Sequence, residues 1–455
     1  MPSNSPQPFL VDKLTEEQKN LLRLFRDIPQ SLGKRDISGI LQIPGISEKY
    51  KKNMIISLIS NPSELTFKDV NDIFKTNLYT INNTDIIIAL IDSTRVVSGD
   101  IDGILEKTNH LKAENNKISS KEKRKKIEEC KKDIIEAILD SQKFESQNIN
   151  AILEITVGFK FEVYKKDIID AILDSQKCES QHVNIILEIT DGFVSETRKK
   201  DIINDILKSQ KCESQHINTI LEITDGFVSE NFTQNILRVF IITGKFETEH
   251  IDMILKITNG LESETRKKNI FQDLISSGKL QSQHIDKIIK ITDGLQQEHL
   301  AAYILEEFIR SSAHLNELQL KTILKISKKF LSNEFKTQVF IACIESYILS
   351  TEYINKILQI TDGFQQWDAA GFKAEVFIAL VESLNLDIEQ IESLITKTEN
   401  LPEPFKSRVI ERINYIQEFD AESDSEDHFY DSEDHSQSST WESLTNIQNI
   451  QGRGL

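Results

Sequence analysis

Positive charge, cysteine, glycine and long apolar runs are all scarce in this sequence, and each shortage removes a class of protein. Lysine and arginine number 54 against 72 aspartates and glutamates, a formal net charge of −18. That balance disfavours broad, sequence-independent attraction to nucleic acid or to an anionic membrane surface. The 4 cysteines, Cys130, Cys178, Cys212 and Cys343, stand far apart in 455 residues. They form neither a CxxC metal or redox motif nor the dense framework of a disulfide-stapled secreted domain. Reduced thiols in the cytoplasm or another reducing intracellular compartment are the simpler expectation, with leaderless export as the alternative. The opening stretch MPSNSPQPFLVDKLTEEQKNLL lacks a basic head followed by an apolar run, and no uncharged stretch reaches the ~20 residues of a membrane-spanning helix. No transmembrane segment is therefore expected. The 16 glycines do not cluster into a phosphate-cradling loop ahead of a lysine.

What the sequence has in abundance is repetition. The pentapeptide ITDGF occurs at 189–193, 223–227 and 360–364, with ITVGF at 155–159, ITNGL at 257–261 and ITDGL at 291–295. Its glycines Gly158, Gly192, Gly226, Gly260 and Gly294 are 34 residues apart, and Gly363 follows after 69, so ISKKF at 326–330 is the degenerate copy between. Weaker copies end at Ile46, Leu111 and Leu401. A fixed period of this length marks stacked supersecondary units, none of which buries a core alone.

In the unit SETRKKDIINDILKSQKCESQHINTILEITDGF, residues 195–227, Ile202, Ile203, Ile206 and Leu207 fall on one helical face, and Ile217, Ile220, Leu221 and Ile223 on another. Each unit is thus two amphipathic helices. Ile202 corresponds to Ile168, Ile236 and Ile270, and Ile206 to Ile172, Phe240 and Leu274. Apolar character persists while size drifts, as in a packed seam worth roughly 1.5–3 kcal/mol per buried side chain. Ala171, Asp205 and Asp273 share a column and are placed toward solvent. The six glycines are read as structural joints, expected in the left-handed conformation that closes a helix C-terminus. Phe193 would then fold back onto the apolar side, and Ser195 and Ser214 would cap the helices that follow.

The expected fold is all-α, a right-handed superhelical solenoid of about 34-residue helix-turn-helix repeats. Residues 1–31 form an N-terminal helical cap, 32–111 degenerate repeats, 112–130 a charged helical extension or hinge, 131–400 the regular array and 401–419 a C-terminal capping helix. Residues 420–455 carry nine acids against Arg453 alone, a net of −8, and are expected to be disordered.

The unit length and helix-turn-helix pattern resemble tetratricopeptide repeats, and HINTILEITDGF at 216–227 resembles the first helix of pentatricopeptide repeats. The Trp, Leu, Gly, Tyr signature of the first family and the alanine-leucine core of the second are missing from the unit 195–227. The first resemblance implies a curved face for a protein or peptide ligand, the second one for single-stranded RNA. A protein-binding scaffold or adaptor is the leading expectation and single-stranded RNA binding the alternative, since RNA recognition calls for aromatic platforms. Phe159, Phe193, Phe227 and Phe364 instead sit at turn-packing positions.

Candidate chemistry is weighed column by column. His182, His216, His250 and His284 recur once per unit, but neighbouring helix axes stand ~8–10 Å apart while one zinc needs nitrogens at ~2.1 Å. Asn148, Leu318 and Tyr353 fill that column elsewhere, so a first-turn structural position is expected. Cys178 and Cys212 share theirs with Phe144, Phe246, Leu280 and Leu349, which makes them small core hydrophobes. The lysine pairs Lys131 and Lys132, Lys165 and Lys166, Lys199 and Lys200, and Lys267 and Lys268 form a candidate binding stripe, unless Glu162, Asp167, Glu196 or Asp201 answer them locally. Ser423, Ser425 and Ser432 lie among acids and suit an acid-directed kinase. No catalytic, cofactor-binding or metal-binding residue is assigned, and no enzymatic activity is expected.

Overall fold

The computed structural model describes residues 49, 52, 53, 55, 56 and 59, and then 84–426 apart from 94–95, 112–119, 142, 312–314, 347–348, 365–368, 384–385 and 387. The expected cap at 1–31 and residues 427–455 lie outside the described residues. Among these residues the fold is all-α, with nineteen α-helices, one short 3-10 turn and no strand. Two compact units divide the chain, Met1–Ile223 and Thr224–Leu455. The first holds α1 (Thr84–Asp92), α2 (Ser98–Asn109), α3 (Ser120–Asp140), α4 (Ser146–Val157), α5 (Glu162–Asp174), α6 (Ser180–Asp191) and α7 (Glu196–Lys208). The boundary falls within α8 (Ser214–Asp225). The second unit holds α9 (Glu230–Thr243), α10 (Ile251–Gly260), α11 (Glu264–Ser276), α12 (Ser282–Asp293), α13 (Glu298–Ser311) and α14 (Glu317–Lys329). It continues through α15 (Asn333–Ser346), α16 (Thr351–Asp362), α17 (Ala369–Glu382), α18 (Ile388–Glu399) and α19 (Phe405–Glu426).

Within each unit the helices pack as successive pairs in two layers. In the first, α1, α3, α5 and α7 pack in order, as do α2, α4 and α6. In the second, α9 through α19 do the same along the odd numbers and α10, α12, α14 and α16 along the even ones. The seam between layers is the apolar pattern of the sequence: Ile168, Ile169 and Ile172 in the first unit, and Ile236, Leu237, Phe240, Ile270, Phe271 and Leu274 in the second, are wholly buried. Asp205 is exposed and Ala171 and Asp273 partly so, as a solvent column requires. Residues 120–130 continue the odd layer, because α3 runs 21 residues without a break.

The joint after four of the even helices differs from the expected one. Gly158, Gly192, Gly294 and Gly363 have φ of −66°, −69°, −90° and −69°, which corrects the left-handed assignment. The helix instead tightens into a final 3-10 turn. The amide of Phe159 donates to Thr156 O at 3.1 Å, Phe193 to Thr190 O at 3.0 Å and Phe364 to Thr361 O at 3.1 Å, returning each phenyl ring to the core. Right-handed φ demands no glycine, and His110 ends α2 with φ −90° in the same column. The left-handed glycines are at the other joint, Gly244 and Gly278, with φ of 67° and 68°.

ITDGF owes its constancy more to its threonine. Thr156, Thr190, Thr258, Thr292 and Thr361 are buried and each hydroxyl donates to the carbonyl four residues back at 2.7–2.8 Å. Ser327 does the same in the degenerate copy at 2.9 Å. A hydroxyl closed on its own helix can be buried without a partner elsewhere.

Candidate functional site

The recurring polar residues form three ladders. The first lies at the start of the even helices. Backbone amides of Glu179, Glu213, Glu247 and Gln281 donate to Nδ1 of His182, His216, His250 and His284 at 2.9, 2.9, 2.9 and 3.1 Å. Each buried imidazole thus accepts an amide at the start of its helix, a capping-box arrangement with histidine in the third position. An acceptor at Nδ1 fixes the neutral tautomer with its proton on Nε2. Burial lowers the pKa of His182 and His284, opposed by Glu179 and Asp252 respectively. Ser180 and Ser214 are first helical residues, so the cap of α6 is Glu179, whereas Ser195 does cap α7 by accepting from Arg198 N.

Elsewhere in this column a side chain also reaches the preceding hairpin. Asn148 Nδ2 donates to Asp102 Oδ1 at 2.6 Å, Gln319 Nε2 to Ser282 O at 3.0 Å and Tyr353 Oη to Glu317 O at 2.9 Å. Gln319, 1% exposed, is therefore the column's member in the degenerate hairpin; Leu318, 71% exposed, is not. The one-residue insertion had shifted the register.

The second ladder is made of glutamates on the odd helices. Glu128 accepts the amides of Lys160 and Phe161 at 2.9–3.0 Å, Glu264 those of Gln296 and Gln297 at 2.7 and 2.9 Å, and Glu298 those of Leu331 and Ser332 at 2.6 and 3.0 Å. Glu162 takes those of Val194 and Ser195 and pairs with Arg198 at 3.1 Å. Glu230 takes those of Glu262 and Ser263 and pairs with Arg266 at 2.9 Å. Burial alone would raise the Glu230 pKa, but those amides and Arg266 outweigh it and hold the carboxyl below its ordinary value. The third ladder runs the other way. Lys143 donates to Ile91 O and Ser93 O, Lys211 to Leu173 O and Ser175 O, and Lys279 to Gly244 O and Phe246 O at 2.8 and 2.6 Å. Cations thus meet the negative ends of odd helices one hairpin back.

All eight stripe lysines are half-buried, and seven make local contacts. Lys131 donates to Asn109 O at 2.6 Å and Lys165 to Val157 O at 3.1 Å. Lys199 lies 3.5 Å from Asp191, Lys132 2.7 Å from Glu136, Lys166 2.5 Å from Asp170 and Lys200 3.0 Å from Asp201. Lys268 stands 4.0 Å over the Tyr303 ring. Burial lowers the pKa of Lys131 and Lys165. At Lys132 and Lys166 burial acts in the same sense, but Glu136 and Asp170 reverse it.

Cys178, Cys212 and Cys343 are buried and form no disulfide, and burial pushes Cys343 up to about 12. Among the described residues no group of three or more His, Cys, Asp or Glu side chains is placed to hold a metal, and no helix is long and apolar enough to cross a membrane. Gly226 follows α8 and Gly260 ends α10. Ser423 and Ser425 fall within α19; Ser432 lies outside the described residues.

No protein-family model matches the chain, and no curated protein does. Among solved structures it is similar to an engineered protein, at 11% identity and a TM-score of 0.32, covering 83% of this chain and 98% of that one. A structure from the computational design of self-assembling cyclic homo-oligomers gives 12% identity and a TM-score of 0.12, over 74% and 98%. Likenesses this slight carry no argument about function.

Proposed function

We propose that this chain is a non-enzymatic, protein-binding scaffold or adaptor of a reducing intracellular compartment, built as a right-handed solenoid of tetratricopeptide-like hairpins. The observation that carries this reading is the contrast between columns. Core, hydroxyl and capping positions repeat from hairpin to hairpin, whereas solvent positions vary: Glu154, Glu188, Lys290 and Lys325 share one exposed column. Stacked hairpins with a fixed interior and a varied exterior suit recognition through many modest contacts over a long face. The partner is a protein or peptide, with no cofactor or metal.

Single-stranded RNA is the alternative, and the lysine stripe would be its footprint. Local contacts on seven of those eight lysines weigh against it, because a cation already held by the protein releases less counterion on binding phosphate. Nuclease-treated affinity capture of the full chain, followed by crosslink mapping, tests the choice. The scaffold reading expects crosslinks on solvent columns, lost after charge reversal there while helicity is unchanged. Tight retention of RNA, falling steeply with salt and with Lys165→Gln, Lys166→Gln, Lys199→Gln and Lys200→Gln, would overturn it.

A further inference from the structure

In the degenerate copy that ends at Phe330, α14 departs from the repeat almost only on its outside. In α14 the core residues Leu320, Ile323, Leu324, Ile326 and Phe330 stay buried, and Gln319 and Ser327 keep the capping and hydroxyl roles. Its solvent face changes sign. Lys321 stands where earlier units have Asn150, Asn184, Asp252 and Asp286, and Lys328 where they have Asp191, Asp225 and Asp293. With Lys325 and, on the adjoining α12, Lys290, these are exposed cations that make no ion pair among the described residues. The nearest acids of α12 are engaged: Asp293 holds Lys329 at 2.7 Å, and Asp286 accepts from Gln319 at 2.9 Å. Leu318 and Leu331, 71% and 90% exposed, flank the lysines at the two ends of the same helix.

We propose that this face of α12 and α14 is the docking surface for the chain's own C-terminal segment, residues 431–444. That segment carries Asp431, Glu433, Asp434 and Glu442 with no lysine or arginine, and offers Trp441 and Leu444 to the exposed leucines. The described chain ends at Glu426 in the same compact unit as α14. The path from α19 through α17 and α15 to α14 crosses three packed helix pairs, about 24–30 Å across the axes at ~8–10 Å each, and with the ~15 Å by which Glu426 lies beyond Ile416 along α19 the straight separation is about 28–34 Å. Residue 437, the middle of the segment, follows Glu426 by 11 residues, which extended chain spans over about 36–40 Å. The tether reaches, and it holds the acids near the lysines at high effective concentration. The contact needs no outside partner, so it stands or falls separately from the scaffold reading.

Carbodiimide crosslinking of the full chain tests this, because the reagent joins a carboxylate to an amine only where the two touch. A mixture of 15N-labelled and unlabelled protein separates contacts within a chain from those between chains. The expected products join Lys290, Lys321, Lys325 or Lys328 to acids of 431–444 within one chain and are lost in 1 M salt, where screening is about 3 Å. Lys321→Glu with Lys325→Glu and Lys328→Glu should abolish them. Neutralising the four tail acids should raise acetylation of those lysines roughly two- to five-fold. Mixed-isotope products would assign the contact to a second copy and overturn the proposal. So would tail crosslinks spread evenly over other lysines, or lysine acetylation indifferent to the tail acids.

Discussion

Acidification should loosen the hairpins that carry His182 and His284. In both, Nδ1 accepts a backbone amide, at 2.9 and 3.1 Å, so a proton there turns the acceptor into a donor facing a donor. The neighbours of His182 are Glu179 and Lys211, together with the Ser146 backbone; those of His284 are Asp252 and Lys287. Burial leads these influences at His182 and His284 and lowers both pKa values. A base whose folded pKa is depressed contributes stability that is complete above its unfolded pKa, near 6.5. That contribution falls as pH drops below this value and keeps falling until the lower folded pKa is passed.

Each lost cap costs about 0.5–2 kcal/mol, so the two together amount to roughly 1–4 kcal/mol, distributed over neighbouring repeats. The control is already present in the chain, since Asn148 fills the same column without titrating and accepts the Glu145 amide at 2.6 Å. Urea midpoints at pH 7.5, 6.5 and 5.5 should fall more steeply for the natural protein than for a variant with His182→Asn and His284→Asn. Equal slopes in the two proteins would refute the assignment. Hydrogen exchange, corrected for its intrinsic pH dependence, should place the loss of protection at the amides of Glu179 and Gln281.

Gly278→Ala should lower stability by about 1–2 kcal/mol, because φ at 278 is +68° with open space around the added Cβ; Gly192→Ala should stay within ~0.5 kcal/mol, and equal losses in thermal melts would contradict the backbone argument. Glu230→Gln should cost about 1–3 kcal/mol by weakening the charge-assisted bonds to Glu262 and Ser263 and the pair with Arg266, with faster exchange at those two amides as the local readout. Thr190→Val should be tolerated to within ~1 kcal/mol, since its hydroxyl bonds only its own helix at Ile186 O; a much larger loss in denaturant midpoint would mean the hydroxyl serves a neighbour.

Helix pairs and core columns were legible because burial imposes a period that the sequence repeats. Left-handed glycines were not, since composition does not reveal φ. The available signal was His110 and Lys329 in the ITDGF glycine column, residues that a left-handed joint would disfavour. The glutamate and lysine ladders do not show when each unit is read alone. Their signal lay across units: Glu128, Glu162, Glu196, Glu230, Glu264 and Glu298 recur every 34 residues without substitution, as do Lys143, Lys177, Lys211, Lys245 and Lys279. Glu128, Glu162, Glu230, Glu264 and Glu298 each hold amides of the following hairpin, whereas in the solvent column Ala171 drifts to Asp205.

Those ladders also bear on how a binding face could be held steady. A helical hairpin leaves unpaired amides where one helix begins and unpaired carbonyls where another ends. Within each unit, glutamates satisfy joint amides of the next hairpin and lysines satisfy carbonyls of the previous one. Apolar packing between layers is non-directional and would tolerate sliding, whereas a carboxylate set on two successive amides fixes register to within a hydrogen-bond length. The outer residues of adjacent even helices therefore keep a constant spacing while their identity is free to vary. Lys290 and Lys325 illustrate this: they occupy one column on neighbouring helices of the same unit, held in step by the contact of Gln319 with Ser282. Chemistry on the outside can change without disturbing the capping and packing that position it.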